Sequence, residues 1–227
     1  MGHKLYVESA DKRVFAVALD WPGWARGAKT EQDALEALVA YGRRYKKAAR
    51  SPGREFSAPK AVGDLTVVER VKGDASTDFG IPAMETKADR KDLNTAELDR
   101  QIRVLKAAWK TFDVTSDAAA GVELRKGPRG GGRDVDKIVA HVVDAEVAYL
   151  SKVGDKFKPP AGAPHEAWVD ELRARIVAAL KIRGTGEPPP NPPRRAAVWS
   201  LPYAIRRIAW HALDHAWEIE DRAQPAP

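Results

Sequence analysis

Apolar residues fall into two regimes along this chain, an alternating one up to about residue 72 and a helical one from about residue 94. Leu5 to Glu8 and Arg13 to Asp20 alternate as strands do, and Ala10, Asp11 and Lys12 between them suit a hairpin turn. Trp21-Pro22-Gly23-Trp24 ends the second strand. Thr30 is a helix N-cap with Glu31 and Asp33 in the first turn, and Ala34, Leu35, Leu38, Val39 and Tyr41 give that helix its apolar face as far as about Ala49. Leu65 to Val71 reads as another strand. The first 73 residues therefore predict a small β-β-α-β module, and residues 74–93, rich in charge and carrying Gly73, Gly80 and Pro82 in or beside them, read as a linker.

From residue 94 to 222 the apolar period is that of helices. Asn94 to Glu97 has the form of a capping box, followed by Leu98, Ile102, Leu105, Ala108, Trp109 and Phe112 at helical spacing. Asp134 caps a second helix that Gly154 ends. Pro164 suits the opening of a third, carried through Trp168, Leu172, Ile176 and Leu180 to Gly184. Gly184 to Pro193 is too rich in proline to be helical. Ser200 and Pro202 then open a fourth helix that runs to about Arg222. The fold class expected is α+β, a β-β-α-β module followed by a four-helix bundle.

Composition narrows the chemistry. The 227 residues hold no cysteine, which excludes disulfides and thiolate zinc sites, so any metal must use imidazole or carboxylate. No apolar run approaches the roughly 20 residues of a membrane span, and Met1 to Tyr6 lack the apolar core of a signal peptide, so a cytoplasmic protein is expected. The net charge of +6 lies mainly in the N-terminal part, with a cluster at Arg43, Arg44, Lys46, Lys47 and Arg50. That cluster suits a polyanion, but it also falls at the end of a predicted helix, where the macrodipole favours cations. The latter reading is preferred, and no nucleic-acid partner is inferred.

Three of the five histidines stand out. His211 and His215 form an H-x-x-x-H step, which puts two imidazoles on one helix face a turn apart. On the last helix Ile205, Ile208, Ala212, His215 and Ile219 form a core-facing stripe with His211 on its flank, and on the second Ile138, His141, Ala145 and Ala148 form another. Each imidazole alone is accounted for as a hydrogen-bonded core histidine. Three converging on one core satisfy one another poorly, whereas a divalent cation pairs with all three lone pairs. Asp144 and Asp214, each three residues after a histidine, are candidates to orient the rings, or are simply exposed helix charges. His165 and His3 are read as surface residues. The segment from Arg125 to Arg133, with Arg129 and Arg133, could hold an anion through glycine amides and guanidinium groups, or be a plain inter-helix loop. Trp199, Tyr203, Trp210 and Trp217 gather on the last helix as core residues or as a wall beside a metal pocket.

Two resemblances attach to these residues. Phe15, Val17, Pro22, Gly23, Gly27, Thr30, Ala34 and Leu35 follow the pattern of HicB-like antitoxin modules, and residues 1–73 resemble their fold. Asp136 to Leu150, containing His141, and Arg206 to Ile219, containing H-x-x-x-H, resemble the DinB/YfiT-like superfamily over residues 94–222. The second resemblance implies a four-helix bundle with His141, His211 and His215 as ligands of a divalent metal, be it Zn, Ni, Fe or Mn. It further implies an enzyme that uses a low-molecular-weight thiol for transfer or isomerisation of a small-molecule substrate, and an assembly as a homodimer. The rival readings are a metal-dependent hydrolase, a non-catalytic stress-associated or regulatory bundle with a structural metal, and a binding module acting through the basic N-terminal part.

Overall fold

Thr30, Asn94 and Asp134 each sit in extended backbone and accept a hydrogen bond from the amide three residues on, which fixes where three long helices begin. The computed structural model describes residues 2–49, 55–126, 132–193 and 197–223, and Arg50 and Arg129 lie outside them. The chain is α+β. Strands β1 (His3–Ser9), β2 (Val14–Ala18) and β3 (Ala25–Ala28) precede helix α1 (Glu31–Ala48), and β4 (Leu65–Lys72) follows it. Helices α2 (Ala75–Phe79), α3 (Thr95–Ala118), α4 (Val135–Val153), α5 (Val169–Gly184) and α6 (Leu201–Ala223) complete the order. The sheet runs β3-β2-β1-β4, with β1 antiparallel to β2 and parallel to β4.

Both faces of the sheet are covered, so the alternation in β1 and β2 sorts apolar residues between two cores rather than between core and solvent. Leu5, Val7, Val14 and Ala16 join Ala34, Leu35 and Leu38 of α1 in the main core. Tyr6, Phe15 and Val17 point the other way and meet Trp210 of α6. β3 is an addition to the expected module; its four residues, Ala25 to Ala28, are too short for a clear alternating signal. The preceding turn explains Gly23: its φ is +89°, and a Cβ there would stand 2.8 Å from Leu213 Cδ1 and 3.1 Å from the backbone of Ala209. The turn is pressed onto α6.

The segment expected as a linker is docked. α2 is capped by Asp74, and Thr77 Oγ1 donates to the buried Glu8 carboxylate at 2.5 Å, joined by the amides of Ala83 and Met84. Farther on, Asp89 receives both terminal nitrogens of Arg206 at 2.6 and 2.8 Å, with almost no exposure of either side chain. Residues 164–168 also differ from expectation. Pro164 leads into a 3-10 turn, His165–Ala167, and α5 starts only at Val169, because Trp168 takes φ −142° to bury its ring.

α6 packs against α3 and α4, and on its remaining side against the sheet and the docked segment. Every residue from Pro202 to Leu213 is buried. Among the described residues, no helix is long and apolar enough to cross a membrane.

Candidate metal centre

An H-x-x-x-H step on a fully packed helix forces two imidazoles toward one neighbour, and that neighbour is α4. His141 Nε2 lies 3.3 Å from His211 Nε2. Ring centroids stand 5.0 Å apart for His141 and His211, 5.0 Å for His141 and His215, and 4.7 Å for His211 and His215, all near-perpendicular or steeply inclined. One nitrogen of each ring can be chosen so that all three lie within 4.8 Å of one another. Two nitrogens about 2.1 Å from a common tetrahedral ion are separated by about 3.4 Å. The His141–His211 pair already meets that distance, and the set closes on an ion with an inward shift of about 1 Å.

The burial order along α6 departs from the expected stripe. His211 is the buried member, set against His141 and Tyr149 of α4, and His215 sits at the edge. In α4 the buried row is Ile138, Val142, Glu146 and Leu150, with His141 and Ala145 half-buried at its border and Ala148 exposed. A carboxylate occupies the centre of that row because Arg173 of α5 meets it at 3.0 Å.

Both proposed orienting aspartates are engaged elsewhere. Asp214 pairs with Nη1 of Arg26 in β3 at 2.9 Å. Asp144, largely exposed, faces His165 at 3.4 Å. The carboxylate that touches the cluster is Glu218, which bonds His215 Nδ1 at 2.8 Å and is itself held by Arg222 at 2.7 Å. Arg222 is anchored in turn by the carbonyls of Arg125 and Arg133. Glu218 follows His215 by three residues, the same spacing that pointed to the aspartates, and this was the signal available in the sequence. The Glu218 bond leaves His215 Nε2 as the nitrogen free for the cluster.

The surroundings of His141 and His211 disfavour protonation. Burial pushes the His211 pKa well below its ordinary range, and His215 and Arg207 push it the same way. His141 is lowered by burial and then by His215. The hydrogen bond from His215 holds Glu218 below the usual carboxylate range. Neutral imidazole is the form that donates a lone pair to a metal. His211 Nδ1 is buried with no hydrogen-bond partner, so bonds within the chain do not account for the cluster.

The surrounding aromatics divide. Trp210 is perpendicular to Phe15 at 6.2 Å and Trp217 stands 5.1 Å from Tyr41, both facing the N-terminal unit. Tyr149 stands against the centre, 5.6 Å from His211, with Trp199 behind it. Arg133 is exposed, and its charge helps lower the pKa of His141 and His211. His3, expected at the surface, donates from Nε2 to the Ser57 carbonyl at 2.7 Å and packs on Trp24 and Phe56. A comparison with protein-family models, with curated proteins and with solved structures finds no match to this chain.

Proposed function

We propose that His141, His211 and His215 hold one divalent cation with open coordination positions, and that the chain is a metal-dependent enzyme acting on a small molecule. One observation carries this reading: three imidazoles converge within 4.8 Å while the carboxylate that touches them is committed to the outer nitrogen of His215. Among the described residues, the converging group contains only the three imidazoles, so no carboxylate closes the sphere. A structural site is closed by protein ligands, whereas three ligands leave room for an exchanging molecule. A cation held there would supply Lewis acidity toward an incoming water or thiolate.

The residues of this chain have distinct parts in that reading. His211 and His215 fix the centre to α6, His141 closes it from α4, and Glu218 with Arg222 sets the orientation of His215. Tyr149 stands on one side of the centre with Trp199 behind it. Helices α3 to α6 are taken as a four-helix bundle of the DinB-like kind, and that resemblance makes thiol-dependent transfer or isomerisation the preferred reaction class. With no cysteine in the chain, the thiol has to come from outside. Zn, Ni, Fe and Mn all suit imidazole donors.

Cobalt reconstitution of the full chain tests the open site. A stoichiometric set of visible bands is expected, changed by azide and by 2-mercaptoethanol. Bands that neither ligand alters would point to a closed structural site, and no bands at all would remove the proposal.

A further inference from the structure

Five arginines are buried among the described residues: Arg100, Arg173, Arg206, Arg207 and Arg222. Four of them are neutralised by carboxylates, namely Arg100 by Glu97, Arg173 by Glu146 and Asp113, Arg206 by Asp89, and Arg222 by Glu218. Arg207 is the exception. It is 8% exposed, its Nη1 is enclosed with no hydrogen-bond partner, and no carboxylate of the described residues stands at ion-pair distance. A guanidinium stays charged inside a protein, so this charge is buried without its counterpart.

Its position gives the vacancy a direction. Arg207 precedes His211 by four residues, which on a helix makes the two side chains neighbours on one face. Its Cζ stands 4.7 Å from the Trp210 ring and 5.4 Å from the Tyr149 ring, and Tyr149 in turn lies against His211. Those rings meet a guanidinium through its π-face, while the N–H donors lie in its plane, so aromatic contact does not satisfy Nη1. The cavity of about 10 Å³ on the sheet side of Arg207, lined also by Tyr6, Val17, Arg206 and Trp210 and by none of the three histidines, has the room of a single water, which brings no charge. Imidazole ligands bring no charge of their own, so three of them leave the charge of a divalent cation uncancelled. The two positive groups, a helical turn apart, call for one anion.

We propose that Arg207 anchors the substrate and that the group it anchors is a carboxylate of a small organic acid, held in the plane of the guanidinium beside the three-histidine centre. A carboxylate matches the paired donors of arginine in a bidentate, planar fashion. This inference rests on the metal reading above, and it names the class of molecule that reading leaves open.

The test uses the cobalt-loaded full chain as wild type, Arg207→Met and Arg207→Lys, titrated with acetate and, in a second arm, with inorganic phosphate. Methionine keeps an apolar stem against Tyr149 and Trp210 while removing the charge. The visible bands without added anion should be the same in all three proteins. Acetate should shift the wild-type bands saturably, with binding weakened about tenfold or more in Arg207→Met and less in Arg207→Lys. Should Arg207→Met fail to fold, the Lys variant carries the comparison, since it keeps the charge and loses the fork. Equal acetate binding in wild type and the variants would overturn the assignment, and phosphate binding tighter than acetate would overturn the carboxylate class. Absence of cobalt bands in wild type would instead overturn the metal reading itself.

Discussion

Burial holds the imidazole of His211 far below its ordinary value of 6.5, and His215 and Arg207 add to the shift. In the unfolded chain that imidazole titrates normally. Below pH about 6.5 the unfolded state then takes up a proton that the folded state refuses, so the stability is present above that pH and is lost as pH falls toward the folded value. Glu146, pushed up to about 7 by burial, acts in the opposite sense, losing stability as pH rises from its ordinary 4.5. The informative quantity is therefore the difference between metal-free wild type and His211→Gln in urea unfolding. Between pH about 7 and 5 the wild-type midpoint should fall more steeply than that of the variant. Parallel pH profiles would contradict the account. The three proposed ligands were legible as residues because imidazoles on apolar helix faces are rare and their spacing is regular. Glu218 was not: position i+3 from His215 was open to sight, but Asp214 and Asp144 had the same i+3 relation to other histidines. Only the fold reveals that Arg26 and His165 occupy those two.

At the scale of elements, α6 owes its burial to partners from distant parts of the chain. Trp210 meets Phe15, Gly23 abuts Ala209 and Leu213, and Arg206 is pinned by Asp89. Asp89 also accepts from the amide and hydroxyl of Thr86 at 2.7 and 2.8 Å, which shapes the docked segment around the ion pair. Removing one member of a buried pair leaves the other charge without compensation. Asp89→Ala should therefore cost about 3–5 kcal/mol, measured by chemical unfolding. A loss below about 1 kcal/mol, the scale of an exposed pair, would contradict this role. Helix caps and periodicity were enough to place α1, α3 and both ends of α4, since Thr30, Asn94, Asp134 and Gly154 act through local geometry. The docking of residues 74–93 escaped the sequence because its anchors, Thr77 and Asp89, look like ordinary linker polars until Glu8 and Arg206 are brought to them.

Across the whole molecule one apolar cluster runs from Leu5 and Trp24 through Leu105 and Ile138 to Ile208 and Ile219. The alternating and helical regimes read as separate modules in the sequence, yet their apolar faces meet on α6, and Arg44 ties α1 to Glu220 and Asp221. A shared core predicts that thermal unfolding followed by tryptophan fluorescence and by the cobalt bands shows one transition at one temperature. Two separated transitions would make the N-terminal unit independent of the centre. The central claim concerns the centre itself, and elemental analysis tests it most directly. Wild-type chain grown with supplemented metals and purified without chelators should carry one equivalent of a divalent metal, and His211→Ala prepared in parallel should carry almost none while keeping its fold. A folded wild type without stoichiometric metal, or a His211→Ala protein that retains it, would contradict the account.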